Sequence, residues 1–159
     1  LRFDPKMAET VASNDAAVVI MHIKGTPKDM QASPSYNSLI KEVMDFLEEG
    51  VKIAEKAGVA SDKIVIDPGI GFGKGLEHNL TIMKNLEAFK ALGKPILIGT
   101  SRKSFIGKVT GSDIEDRMAG TAATLAIGIM KGANIVRVHD VKEGVQAVRM
   151  ADAIKNAMT

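Results

Sequence analysis

The sequence contains no cysteine. That absence excludes disulfides and thiolate metal sites, and it fits a reducing compartment, so we expect a cytoplasmic protein. The three histidines form no HxxxH or HxH pair, and no helical segment offers paired carboxylates facing a common point, so we expect no metal ion held by the protein. No apolar run reaches the roughly 18 residues that a membrane span needs, and the start of the chain lacks a signal-peptide pattern.

The charge of the chain has no strong bias. The 21 basic and 19 acidic residues are interspersed and leave a net charge of +2. Without a concentrated basic face we expect no nucleic-acid partner, whereas the charge distribution does not exclude a small anionic ligand. The 159 residues, 45% of them hydrophobic, suffice for a single domain over residues 1–159. Because the chain begins with Leu1 rather than methionine, we expect it to have been processed or excised from something longer.

Four short, apolar, β-branched runs predict buried strands. They cover residues 17–21, 64–66, 95–98 and 135–138. Helical patterns predict a short opening helix and four longer ones, at residues 5–14, 37–57, 77–92, 114–131 and 141–157. A helix followed by four strand-helix units predicts an α/β fold with a parallel sheet and right-handed crossovers.

Each predicted strand ends on polar or charged residues. The ends are MH (21–22), Asp67, GTSRKS (99–104) and RVHD (137–140). The carboxyl ends of parallel strands share one edge of the sheet. The sequence therefore predicts that four side chains converge around one small ligand: Asp67, Lys103, Arg137 and His139.

The segment after the second strand, DPGIGFGKG, follows a carboxylate with a loop of closely spaced glycines. Asp67 could accept two hydrogen bonds from adjacent N–H groups of a planar heterocycle, and the glycines would let the backbone approach such a ligand closely. The spacings GxxxxGK[ST] and GxGxxG are absent, which disfavours nucleotide binding. The alternative is that Asp67 only starts a turn before Pro68.

Arg137 and His139 are two residues apart in a predicted strand, so their side chains project to the same side. Together they could clamp a phosphate. Alternatively, Arg137 pairs with a structural carboxylate, either Asp140 or Glu143, because an unpaired charge is costly to bury.

Three further polar features can be explained by structure alone. GTSRKS at a strand-to-helix junction could hold an anion or be a solvated basic turn. His22 and His78 are interpreted as core or surface histidines.

Three segments, IVIDPGIGFGK, IGTSRKSFIG and NIVRVHD, occur in this order on separate predicted strands, with VVIMH on the preceding one. With them the chain resembles the dihydropteroate synthase family, over nearly its whole length but only over the C-terminal half of the family's usual sequence. SRKS is the most specific element, since the Asp-Pro-Gly strand end is also similar to pterin-binding methyltransferases.

The resemblance implies the last four strands of a TIM-type (β/α)₈ barrel. It also implies a transferase of folate biosynthesis, a sulfonamide target, that condenses 6-hydroxymethyl-7,8-dihydropterin pyrophosphate with p-aminobenzoate to give 7,8-dihydropteroate and pyrophosphate. The implied roles are pterin contacts for Met21, Asp67, Phe72, Gly99 and Lys103, p-aminobenzoate contacts for Phe72 and Ser104, pyrophosphate contacts for Arg137 and His139, and catalytic roles for Lys103, Arg137 and His139.

The stretches that carry the family's first four strands are absent from the sequence. Four strands cannot close a barrel that needs eight, so we expect two exposed strand edges, an apolar face, and little or no activity of the chain alone. We expect the chain to pair with another copy or with the missing half-barrel. The resemblance implies Mg²⁺ carried by the substrate pyrophosphate, its usual protein ligand being absent. Two other functions stay open, a methyltransferase domain that passes a methyl group from a methylfolate to a corrinoid, and a non-catalytic α/β interaction module.

Overall fold

The computed structural model describes residues 1, 4–32 and 34–157. Within these residues, a helix follows each strand, as the sequence predicts, and two helices follow the third strand. The elements are α1 (Met7–Ser13), β1 (Val18–Met21), α2 (Leu39–Lys56), β2 (Ile64–Asp67), α3 (Leu76–Lys84), β3 (Leu97–Ile98), α4 (Ser104–Thr110), α5 (Met118–Met130), β4 (Ile135–Val136) and α6 (Val141–Lys155). Two short 3₁₀ helices cover Ser61–Lys63 and Leu86–Leu92.

The strands are parallel and neighbour one another in chain order. β1 pairs with β2, with Met21 beside Asp67, and β3 pairs with β4. A parallel bridge between Ile66 and Ile96 joins the two pairs. All four carboxyl ends therefore lie at one edge, which confirms the α/β fold with a parallel sheet, and the four strands do not close into a barrel.

Helix α2 covers the sheet because its apolar residues recur at helical spacing. Val43 and Leu47, one turn apart, are completely buried. Gly50 lets the helix approach β1 closely, since a Cβ atom there would lie 2.6 Å from Cγ2 of Ile20. None of the described helices combines the length and apolar character of a membrane span.

Two helix predictions need correction. The predicted helix over residues 77–92 is two elements, because α3 ends at Lys84 and a 3₁₀ helix follows. The Asn85 side chain donates to the Thr81 carbonyl at 2.8 Å, which satisfies an acceptor at the end of α3. Helix α5 begins at Met118 rather than at residue 114. Helix α4 was not predicted, because its seven residues are too few to show a helical period.

The two inner strands are buried and the two outer strands are partly exposed. In β2 and β3, Ile64, Ile66 and Ile98 are fully buried. In β1 and β4, Val19 is 47% exposed and Ile135 is 40% exposed. The prediction of four buried strands is thus right for the inner pair and wrong for the outer pair, because an outer strand has a neighbour on one side only. Apolar cavities of about 470 and 660 Å³ lie along β1 and β4 respectively.

Candidate active site

Asp67 is the last residue of β2, and only 2% of it is exposed. Its Oδ1 atom accepts the backbone N–H of Gly69 at 2.7 Å, and its Oδ2 atom lies 3.8 Å from Nη2 of Arg137. Burial raises the pKa of Asp67, while the Gly69 N–H and the charges of Arg137, Lys103 and Lys74 act in the opposite direction. The strand end thus holds a desolvated carboxylate surrounded by cations.

Lys103 reaches the glycine loop from the β3–α4 connection. Its Nζ atom lies 4.1 Å from the centroid of the Phe72 ring and donates to the Ile70 carbonyl. Burial lowers the pKa of Lys103 to about 8, although Asp67 opposes that change. Gly71 makes this approach possible, because it has a φ of +82° and a Cβ atom there would lie 2.8 Å from Cδ of Lys103.

Arg137 and His139 follow β4 and face the same cavity. The guanidinium of Arg137 lies over Gly99, where a Cβ atom would be 3.3 Å from Nη2. Nδ1 of His139 lies 2.9 Å from Oγ of Ser101, which also accepts the backbone N–H of His139 at 3.2 Å. Since Ser101 accepts that N–H, its own hydroxyl proton can point to Nδ1 and leave Nε2 for a ligand.

The cavity at the carboxyl ends of β3 and β4 has a volume of about 220 Å³. Five of the predicted site residues line it, together with Ser101 and Val138: Phe72, Gly99, Lys103, Arg137 and His139. Asp67 adjoins this group through Arg137.

Two predicted residues lie outside the lining of this cavity. Met21 is next to Asp67 in the sheet register but lines the apolar cavity along β1. Ser104, the first residue of α4, is exposed. The structure therefore brings six of the predicted residues together and leaves these two at the margin of the group.

The alternative pairing of Arg137 with a structural carboxylate is wrong for Asp140. Asp140 pairs with Arg102, whose Nε atom donates to Oδ2 at 2.9 Å and whose Nη2 atom contacts Oδ1. Hydrogen bonds from Arg102 lower the pKa of Asp140. This fork-shaped pair ties the β3–α4 loop to the end of β4 and leaves the guanidinium of Arg137 at the cavity.

Arg102 itself has a φ of +56°, a conformation that non-glycine residues rarely adopt. Three contacts hold it. Its N–H donates to Oγ1 of Thr121 at 3.1 Å, its carbonyl accepts Nη1 of Arg117 at 2.9 Å, and its side chain is bound by Asp140. The loop that presents Ser101 and Lys103 is therefore fixed from several sides.

Sequence reasoning missed three polar residues that build the site. Ser101 orients His139, and Asn79 accepts the Gly71 N–H at 2.7 Å and donates to the Gly75 carbonyl at 2.7 Å. Lys74, within the glycine loop itself, is only 3% exposed. Ser101 could have been found beside Ser104 in GTSRKS, whereas nothing in the local sequence marks Lys74 or Asn79 as buried.

The histidines interpreted as structural make local contacts. The ring of His22 is buried, 4.8 Å from the Phe46 ring centroid and with Nδ1 2.8 Å from Nζ of Lys74. Nδ1 of His78 accepts the Gly75 N–H at 3.1 Å at the start of α3. Among residues 1, 4–32 and 34–157, no group of three or more histidines and carboxylates is placed to hold a metal ion.

Lys74 and Lys103 should make the stability of the fold depend on pH. Burial lowers the pKa of Lys74 to about 7 and that of Lys103 to about 8, from 10.5. Between those values and 10.5 the unfolded chain binds more protons than the folded chain, so the contribution of both lysines to the free energy of unfolding rises with pH. Urea denaturation between about pH 7 and about pH 10 should show a smaller rise in Lys103→Met than in the unchanged chain. Equal slopes in the two proteins would contradict the lowered pKa.

The sequence that forms this fold and site matches a known family. The family model described as Pterin binding enzyme matches residues 1–139. The chain therefore belongs to the pterin-binding enzyme family.

Within that family, the relatives that the chain is similar to are dihydropteroate synthases. The Bacillus subtilis (strain 168) dihydropteroate synthase is 44% identical over 155 residues, which are 98% of this chain and 52% of the relative. A crystal structure of the Yersinia pestis enzyme with a sulfonamide drug complex matches with a TM-score of 0.92 and 38% identity, covering 95% of this chain and 55% of that one. The Thermus thermophilus enzyme in complex with 6HMPPP matches with a TM-score of 0.89 and 39% identity, covering 95% and 60%.

The chain spans about half the length of the curated relatives it matches. The resemblance to dihydropteroate synthases that three sequence segments suggest is thus confirmed by similarity over nearly the whole chain.

Proposed function

We propose that this chain supplies the pterin- and pyrophosphate-binding side of a dihydropteroate synthase, which joins 6-hydroxymethyl-7,8-dihydropterin pyrophosphate to p-aminobenzoate. The observation that carries this proposal is the cavity in which Lys103, Arg137 and His139 converge beside the buried carboxylate of Asp67. An extended ligand with a flat N–H-rich ring and an anionic tail matches that arrangement of one carboxylate and several cations.

The pterin would lie against Asp67, Phe72 and Lys103. Asp67 has acceptor capacity beyond its bond to Gly69, and it would accept the ring N–H and the exocyclic amine. Lys103, already held over the Phe72 ring, would donate to the ring oxygen and nitrogen. Met21, beside Asp67 in the register, and Gly99 would complete this side of the site.

Arg137 and His139 would bind the pyrophosphate. As the bond between the pterin methylene carbon and the pyrophosphate oxygen breaks, the oxygen keeps the electron pair, and these two side chains stabilise the growing negative charge. The amine of p-aminobenzoate forms the new C–N bond and loses a proton, and no covalent enzyme intermediate is needed. Phe72 and Ser104 would contact the p-aminobenzoate, and we propose that sulfonamides compete there, in line with the drug complex of the Y. pestis enzyme.

The residues around the cavity do not fit a resident Mg²⁺ ion. Lys103, Arg137 and His139 bring cationic groups and an imidazole, whereas Mg²⁺ prefers carboxylate and other oxygen ligands. We propose that Mg²⁺ enters with the substrate pyrophosphate.

We propose that the open edges of β1 and β4 are covered in the working enzyme by the four further strands that complete a (β/α)₈ barrel. Val19 and Ile135 are exposed on the outer strands, and apolar cavities lie beside both. Because the matched structures are nearly twice as long as this chain, a complementary half-barrel is the partner that fits best, and a second copy is the alternative.

The chain by itself should therefore associate or expose apolar surface. We expect analytical ultracentrifugation to show concentration-dependent association, and ANS fluorescence to rise when the chain is alone and to fall when a half-barrel partner is added. Val19→Lys should reduce the association, whereas Val109→Lys, at an exposed position on α4, should not. A monomer that binds no ANS would contradict the proposal.

Isothermal titration calorimetry tests the function directly. We expect separate binding of a 6-hydroxymethyl pterin and of pyrophosphate to this chain, and product formation only when a half-barrel partner is present. If neither ligand gives a heat of binding, although the circular dichroism of the chain shows that it is folded, a non-catalytic module would be favoured.

A further inference from the structure

Lys74 is a buried cation that the proposed reaction does not use. It lies in the loop between β2 and α3, is 3% exposed, and does not line the cavity of Lys103, Arg137 and His139. Its Nζ atom lies 2.8 Å from Nδ1 of His22 and donates to the Phe72 carbonyl at 3.0 Å. The salt bridges found among the described residues do not include it, and Asp67 acts on it through charge alone. A buried ammonium in such surroundings calls for an explanation.

The contacts of Lys74 connect the carboxyl end of β1 with the loop that follows β2. His22 follows β1, and its backbone N–H donates to the Asp67 carbonyl at 3.0 Å. Phe72, whose carbonyl Lys74 holds, is the ring against which the ammonium of Lys103 lies. Lys74 therefore touches the supports of Asp67 and Phe72 without reaching the cavity itself.

The histidine partner of Lys74 brings no negative charge of its own. A neutral imidazole accepts a hydrogen bond from the ammonium through Nδ1, whereas a carboxylate partner would also cancel the charge. Below about pH 7 the charge of Lys74 also favours the ionised form of Asp67, though less than the Gly69 N–H and the charges of Arg137 and Lys103 do. Only an ionised carboxylate can accept two N–H groups while donating none.

We propose that Lys74 and His22 form a positioning pair that holds Phe72 and the carboxyl end of β2 in place for a pterin ring. This inference rests on the proposed function, because it assigns residues to the pterin side of that site. It predicts that the pair acts on pterin and leaves pyrophosphate binding to Arg137 and His139 unchanged.

Lys74→Met tests the pair, with Lys94→Met as the matched control. The Lys94 side chain is 6% exposed, and its Nζ atom donates to Glu55 at 2.7 Å and to the Ser61 carbonyl at 3.1 Å, at the amino ends of the strands. Calorimetry should give about a 10-fold rise in the pterin dissociation constant of Lys74→Met, with the pyrophosphate constant changed less than about 3-fold. Lys94→Met also removes a buried charge, but both dissociation constants should stay within about 3-fold of those of the unchanged chain.

The outcomes separate this inference from the proposed function. Pterin binding unchanged in Lys74→Met, or an equal loss of both ligands, would overturn the positioning role while leaving the function intact. Absence of pterin binding in the unchanged chain would overturn both.

If Lys74→Met does not fold, two variants at His22 test the positioning pair instead. His22→Asn keeps an acceptor close to the position of Nδ1 and should retain pterin binding, whereas His22→Leu should lose it. The same pterin affinity in both variants would overturn the pair.

Discussion

Asp67→Asn is expected to raise the dissociation constant for a pterin about 100-fold. The substitution keeps the shape of the side chain but replaces one acceptor oxygen with an N–H₂ donor that faces the ligand's own donors. A hydrogen bond to a charged group contributes about 1.5–3 kcal/mol, so the loss of one with a new repulsion corresponds to roughly two powers of ten. Calorimetric titration of the purified chain measures this change.

The control for Asp67→Asn is Asp62→Asn. Asp62 is exposed in the 3₁₀ helix Ser61–Lys63, at the amino ends of the strands, so the same chemical change there should leave pterin affinity unaltered. Circular dichroism should show that both variants keep the fold. If folded Asp67→Asn binds pterin with an affinity within about 3-fold of the unchanged chain, Asp67 is not part of the pterin site.

Arg137→Ala is expected to raise the dissociation constant for pyrophosphate about 30-fold to 100-fold and to change that for pterin much less. The Arg137 side chain is 60% exposed at the cavity, where its guanidinium can form two parallel hydrogen bonds to phosphate oxygens. Loss of such a charged pair corresponds to about 2–3 kcal/mol. Titration with pyrophosphate and with a pterin, each alone, gives the two constants.

Arg149 offers the matched control for Arg137. It is exposed on α6, so Arg149→Ala removes the same charge from the same region without touching the cavity of Lys103 and His139. A similar loss for both ligands in Arg137→Ala would indicate a general disturbance of the fold. A similar pyrophosphate loss in Arg149→Ala would indicate only long-range attraction.

The two variants act on opposite ends of one electrostatic arrangement. Asp67 is a buried carboxylate, and the cationic side chains that act on it are those of Arg137, Lys103 and Lys74. Since the cationic side chains outnumber the carboxylate, we expect the cavity to favour an anion and Asp67 to favour a ligand with N–H donors. Such a site is arranged before the ligand arrives, because Lys103 and the Arg102–Asp140 pair are already held in place.

The proposed site residues are divided between the inner strands and one outer strand. The cavity lies between β2, β3 and β4, while the exposed residues Val19 and Ile135 lie on the outer strands. Asp67 and Lys103 therefore lie at the ends of the inner strands, whereas Arg137 and His139 follow the outer strand β4. Covering the outer strands should raise the stability of the fold.

The sequence by itself determined that the strands are parallel and that Asp67, Lys103, Arg137 and His139 converge. Both follow from local patterns, because short apolar runs indicate strands and the carboxyl ends of parallel strands share one edge. Only the tertiary structure decided that Asp140 pairs with Arg102, that Ser101 orients His139, and that Lys74 is buried against His22. These contacts join residues 38 or 52 positions apart, so their geometry depends on how the strands and loops pack.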